Sequence, residues 1–299
     1  MNNSVLFTIP GNEMLANSLI KLLHAESGEV VIRHFPDGET YVKVISNVYQ
    51  KEAIIVCSLQ QPDDKILPLY FLAKTLKEFG ASPVTLVAPY LAYMRQDKRF
   101  TDGECISSEL FAQLLSSFVD KVITIDPHLH RRTSLDEIYS IHTSVLHVSP
   151  LLSKWIKENI QQPVLIGQDS ESSQWISKMA VDANVPYIIL KKIAKDSPDI
   201  KIILPELKKY KQCTPVLVDD IIASANTMIK SIGHLKKAGM RPPVCIGIHA
   251  VFAASAYGKL IKAGAEKVVT CNTIAHSTNA ICIDELLAQE ICKNSFVLY

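Results

Sequence analysis

Two adjacent carboxylates, Asp219 and Asp220, close the apolar run "VLVDD", and a short polar loop, "IIASANT", follows. Neighbouring carboxylates repel, and a bound cation or a set of sugar hydroxyls would relieve that repulsion. A strand that opens onto a small-residue loop and then a helix can hold a phosphate on successive backbone N–H groups. Such loops favour glycine, and this one has none. Four further stretches turn polar where an apolar run ends or begins: "HFPDGETYVKV", "PYLAYMRQDKRFTDGE", "IDPHLHRR" and "LIGQDSESSQW". Singly they have plain readings. Asp37-Gly38-Glu39 is strong turn chemistry, "RQDKR" reads as a solvated charged loop, and His128 and His130 alternate, so only one can face a given site.

The elements that must position these residues follow from the apolar rhythm. "AIIVCSL" leads into "DDKILPLYFLAKTLKEFGA", then "PVTLVAPY", "DGECISSELFAQLLSSF" and "KVITIDPH". The second half runs "PVLVDD", "ANTMIKSIGHLKKAGM", "PVCIGIHA", "SAYGKLIKAGA" and "KVVTCNT". Short Val- and Ile-rich runs alternating with helix-length amphipathic stretches predict parallel sheets with helices on both faces. Ligands in such sheets collect at the carboxyl ends of the strands, where the polar stretches fall. The halves share a layout, which predicts two α/β units with a boundary in "HTSVLHVSP": domains of residues 1–145 and 146–299. "KKIAKDSPDIK", Lys191 to Lys201, lacks periodicity and reads as a mobile loop.

Composition removes several function classes. Of 299 residues, 48% are apolar and 20% charged, a balance that fills real cores. A net charge of +1 gives no global field toward nucleic acid or an anionic membrane. No export signal follows Met1, and no apolar stretch is long enough to span a bilayer. The seven cysteines are scattered, never spaced C-x-x-C, and read as reduced core residues of a cytoplasmic protein.

In order, "FPDGETYV", "APYLAYMRQDKRFTDGECIS", "VITIDPHLH", "VLVDDIIASANTM" and "NTIAHSTNAI" resemble the ribose-phosphate pyrophosphokinase family over nearly the whole chain. The resemblance implies two phosphoribosyltransferase-like α/β domains and a Mg²⁺-dependent transfer of the diphosphoryl group of ATP to ribose 5-phosphate. Phe35 would lie against adenine, with Asp37, Gly38 and Glu39 at the nucleotide. Arg95, Gln96 and Asp97 would hold ATP, and His128 and Asp169 would contact magnesium. Asp219 and Asp220 would hold the ribose hydroxyls, while Ala223, Ser224, Ala225, Asn226 and Thr227 would wrap the 5-phosphate. Family members assemble from dimers, which implies a homo-oligomer.

The chain departs from the family pattern twice. Asn226 stands where the sugar-phosphate loop usually has glycine, and Asn tolerates a left-handed backbone better than most residues. In the mobile loop Lys192 fits the catalytic Lys, while the Arg two residues on becomes Ala194, or Lys195 if the loop is one residue longer. Lys supplies charge without the bidentate fork of Arg. A non-catalytic regulatory homologue binding nucleotide or sugar phosphate is the alternative these departures raise. A phosphoribosyltransferase would leave "DGE" and "RQDKR" without a job, and no G-x-G-x-x-G supports a dehydrogenase.

Overall fold

The computed structural model describes residues 3–129, 131–167, 173–190 and 209–295. Contacts divide the chain into two units.

The first unit holds a six-stranded parallel sheet, built from β1 (Ser4–Thr8), β2 (Glu26–Ser27), β5 (Glu52–Val56), β6 (Val84–Ala88), β7 (Lys121–Ile125) and β8 (His142–Leu146) in the order β2-β1-β5-β6-β7-β8. Strands covered on both faces have no polar side to show. Hence Ala53–Val56 and Val84–Ala88 are buried at every position, and apart from Thr85 they read as apolar runs. Its helices are α1 (Glu13–Leu23), α2 (Asp63–Glu78) and α3 (Ser107–Ser116). An antiparallel hairpin, β3 (Val30–His34) and β4 (Thr40–Val44), stands apart from the sheet and touches α2 through β4.

The second unit repeats the order. Its strands are β9 (Pro163–Gly167), β10 (Tyr187–Ile189), β11 (Thr214–Ile221), β12 (Val244–His249), β13 (Lys267–Cys271) and β14 (Asn279–Ile281), arranged β10-β9-β11-β12-β13-β14 and all parallel. Helices α4 (Ser149–Asn159), α5 (Ser173–Ala183), α6 (Asn226–Lys237) and α7 (Ala256–Ala263) accompany it.

"HTSVLHVSP" proves to be an edge strand, β8, followed by the start of α4 at Ser149. The first unit runs to Leu146 and takes in Thr273–Ala275 and the chain from Ile283 on. Helix α8 (Asp284–Ser295) thus belongs with the first unit, where a single cut would leave it in the second. It buries Leu287 and Ile291 and contacts α1 and β8. None of the seven cysteines forms a disulfide. No helix among the described residues is long and apolar enough to cross a membrane.

Candidate active site

In each sheet the strand order reverses beside its first strand, between β1 and β5 and between β9 and β11. Crevices at the carboxyl ends of such strand pairs are where open parallel sheets bind ligands. In the first unit this crevice is stitched by the chain itself. Buried Asn12 accepts the Ser58 N–H at 3.0 Å and donates from Nδ2 to the Ile9 carbonyl at 3.1 Å. In the second unit, the corresponding end of β11 carries Asp219 and Asp220.

Both aspartates lie within the strand, which continues to Ile221: Asp219 pairs with Gly247 and Ile221 with His249. Successive strand residues face opposite sides of a sheet, so the two carboxylates diverge. That geometry lowers the repulsion their adjacency would otherwise produce. Asp219 Oδ1 accepts the Asp220 N–H at 3.1 Å, and Asp220 Oδ1 accepts the Ile221 N–H at 2.8 Å. Both side chains are half-buried.

The loop that follows is tied to the segment after β12. Ile222 donates its N–H to the His249 carbonyl, Phe252 N–H reaches the Ile222 carbonyl at 2.8 Å, and Ala253 N–H reaches that of Ala223 at 3.1 Å. Ile222 also packs over Gly247, where a β-carbon would lie 2.6 Å from it. The left-handed residue of the loop is Ala225 (φ 61°), whereas Asn226 is already the first residue of α6. The expectation that Asn226 carries the strained backbone is corrected: the turn into the helix falls one residue earlier, on an alanine. Ala225 offers no side-chain cap. The N–H groups of Ser224 to Met228 meet no acceptor among the described residues. Ser224, Asn226 and Thr227 are exposed and Ala223 is half-buried. A run of unpaired amides at a helix start suits an anion.

In the first unit the β3–β4 turn holds Phe35 to Glu39. Phe35 N–H reaches the Glu39 carbonyl at 2.8 Å, and Asp37 Oδ1 accepts the Glu39 N–H at 3.1 Å. Gly38 takes φ 94° with open space around its α-carbon, so it is there for backbone conformation alone. Phe35 remains 39% exposed, and the Arg33 guanidinium lies 4.7 Å from its ring centre and 4.2 Å from that of Tyr41. An exposed ring backed by a cation is a ready stacking platform.

Arg95, Gln96 and Asp97 lie in the loop between β6 and α3. Arg95 is exposed, and neither it nor Lys98 or Arg99 pairs with a carboxylate among the described residues. Gln96 turns inward, its Nε2 donating to Glu104 at 3.0 Å and to the Lys98 carbonyl at 3.3 Å. Asp97 is taken by Arg131, whose Nη1 lies 2.7 Å from Oδ1. The loop therefore presents cations while two of its carboxylates, Asp97 and Glu104, are occupied. His128 is half-buried in the loop after β7. No group of three or more His, Cys, Asp or Glu among the described residues is placed to hold a metal. Magnesium bound chiefly through substrate phosphates, with one or two protein ligands, requires no such cage.

The structure thus gathers Asp219, Asp220 and residues 223–227 at one strand end, and Phe35 to Glu39 in one turn. Asp169, His130, Lys192, Ala194 and Lys195 lie outside the described residues. Gly247 and Glu104 escaped the sequence reading. Gly247 had no turn signal around it, and Glu104 sits at the start of "DGECISSELFAQLLSSF", a stretch that reads as helix.

A parallel sheet whose strand end carries two aspartates before a loop of unpaired amides defines a phosphoribosyltransferase-type domain, and residues 134–288 match the phosphoribosyl transferase domain family. Residues 4–118 match the N-terminal domain of ribose phosphate pyrophosphokinase. The chain belongs to the ribose-phosphate pyrophosphokinase family. It is 28% identical over 270 residues to the ribose-phosphate pyrophosphokinase of Sulfurisphaera tokodaii, covering 89% of this chain and 91% of that one. Against the Sulfolobus acidocaldarius enzyme of the same name the figures are 26% over 288 residues and 94% of each chain. The fold is that of phosphoribosylpyrophosphate synthetase from Mycobacterium smegmatis, with a TM-score of 0.86 at 24% identity over 98% of this chain and 99% of that one.

Proposed function

We propose that the chain is a ribose-phosphate diphosphokinase. The anomeric hydroxyl of ribose 5-phosphate attacks the β-phosphorus of ATP and loses its proton, the bond from that phosphorus to the α-phosphate oxygen breaks, and AMP departs. The observation that carries this reading is the pairing of Asp219 and Asp220 with five amides, Ser224 to Met228, that meet no acceptor among the described residues, at one strand end. Ionised carboxylates accept strong hydrogen bonds from sugar hydroxyls, and the amides can hold the 5-phosphate without a side-chain charge.

Phosphoryl transfer depends mostly on positioning and charge neutralisation. The exposed cations of the 95–99 loop suit the nucleotide phosphates, and Phe35 suits the adenine ring. Asp37, Gly38 and Glu39 would border the nucleotide, with Gln96 and Asp97 fixing the loop that carries Arg95. His128 and Asp169 would hold magnesium, which when bound neutralises phosphate charge; nitrogen is an uncommon ligand for so hard a cation, so substrate phosphates and water would supply most of its ligands. Lys192 and Lys195 would steady charge on the transferring group. We place the protein in the cytoplasm as a homo-oligomer built from dimers.

Asp220→Asn tests the sugar end of this site. It removes charge from hydroxyl-binding bonds, so the KM for ribose 5-phosphate rises about tenfold or more while that for ATP stays nearly constant. Equal rises for both substrates would place Asp220 elsewhere than at the sugar.

A further inference from the structure

One carboxylate draws together the loop between β6 and α3. Gly103 takes φ 86° with open space around it, and this turn sends the chain back on itself. Glu104 Oε2 then accepts the Phe100 N–H at 2.7 Å, the Thr101 N–H at 3.2 Å and Gln96 Nε2 at 3.0 Å. Its carbonyl accepts from Arg99 Nε at 3.0 Å. Every donor comes from the same arc, residues 96–101, so the bonds shape this loop rather than attach it to a distant element. The carboxyl is held below its usual range, first by the Phe100 N–H and then by Thr101.

A carboxylate on an anion-binding loop would ordinarily weaken binding. Glu104 forms no ion pair with Arg95, Lys98 or Arg99; its charge is satisfied by amide donors. Asp97 is likewise occupied, by Arg131. The cations stay available, and the arc that carries them is ordered before any ligand arrives.

We propose that Glu104 is a positioning residue for the nucleotide, holding the 96–104 arc so that Arg95, which adjoins it, meets the polyphosphate from a preformed loop. The proposal rests on the reading of this loop as nucleotide-binding. Without the carboxylate, the arc must be ordered at the moment of binding, and that cost falls on ATP affinity.

The test compares the full-length wild type, Glu104→Ala and Glu104→Gln by steady-state kinetics and limited trypsin digestion. Glu104→Ala raises the KM for ATP about tenfold with the KM for ribose 5-phosphate within about twofold. It also speeds cleavage after Lys98 and Arg99. Glu104→Gln, whose amide oxygen still accepts from Phe100 and Thr101, restores most of both. An ATP KM within about twofold of wild type in Glu104→Ala, or equal rises for both substrates with a lowered Tm, overturns the proposal. Should the wild type form no product, the diphosphokinase reading fails separately, and equilibrium binding of ATP to the same variants decides the role of Glu104. Weakened binding in Glu104→Ala with recovery in Glu104→Gln upholds it, and equal binding in all three overturns it.

Discussion

Ile222 occupies the space that a side chain on Gly247 would take: a β-carbon there would lie 2.6 Å from both Cδ1 and Cγ1 of Ile222. Gly247 pairs with Asp219 across the β11–β12 ladder, so one glycine lets the root of the sugar-phosphate loop settle onto the sheet. Ile222 is β-branched and buried, which leaves it few ways to yield. Gly247→Ala should destabilise the second unit by about 1–3 kcal/mol and raise the KM for ribose 5-phosphate more than that for ATP. Thermal melts and steady-state kinetics check this; a variant unchanged in both would mean that Ile222 repacks freely.

The left-handed Ala225 makes a paired prediction about the glycine-free loop. Ala225→Gly relieves roughly 1 kcal/mol of backbone strain and gives back about 0.4–1 kcal/mol through a freer unfolded chain, so it is neutral to mildly stabilising. Asn226→Gly puts glycine into the first turn of α6 and costs a few tenths of a kcal/mol, on the order of the propensity difference. Ala225→Val costs more than about 1 kcal/mol, because a branched side chain resists this conformation. If Asn226→Gly proves the stabilising change, the helix begins later than described.

The Tyr139 hydroxyl is buried and finds no hydrogen-bond partner among the described residues, and burial pushes its pKa well above the ordinary tyrosine value. An unpaired buried hydroxyl costs roughly 1–3 kcal/mol. Tyr139→Phe should therefore leave stability unchanged or raise it by about 1 kcal/mol, measured by chemical denaturation. A clear loss would reveal a hydrogen bond to that hydroxyl.

His276 accepts the Thr278 N–H on Nδ1 at 3.2 Å, and its ring lies 4.5 Å from that of Phe252. Partial burial lowers its pKa. The sign follows from linkage: as pH falls through the ordinary histidine range, the unfolded chain takes up a proton that folded His276 resists, so stability falls. The lost stability is absent from His276→Gln, so its melts should be less sensitive to pH in that window. An NMR titration in which His276 protonates at or above the ordinary histidine range would contradict this.

The strand and helix alternation was legible because fully buried parallel strands leave unbroken apolar runs such as Ala53–Val56. Asp219 and Asp220 were legible because paired carboxylates at the end of such a run are costly without a reason. What the sequence withheld was tertiary. Nothing local marks α8 as belonging with α1, since an amphipathic helix does not announce which unit covers its apolar face. Asn226 drew the left-handed assignment on propensity, yet the helix start is set by its packing, with Met228 and Ile232 buried, and the turn was forced onto Ala225. Gly247 gave no signal because a close contact with a residue 25 positions away has no sequence pattern. Glu104 gave no signal of its own because the bonds its carboxylate accepts from residues 96–101 depend on a loop fold that the sequence does not display.

Diphosphoryl transfer is measured most directly as product formation by the purified full-length chain with ATP, magnesium and ribose 5-phosphate. AMP and phosphoribosyl pyrophosphate should appear in equal amounts, and omission of the sugar phosphate or chelation of the metal should abolish both. Binding of ATP and ribose 5-phosphate with no AMP released, or release of ADP or inorganic phosphate in place of AMP, would contradict the account.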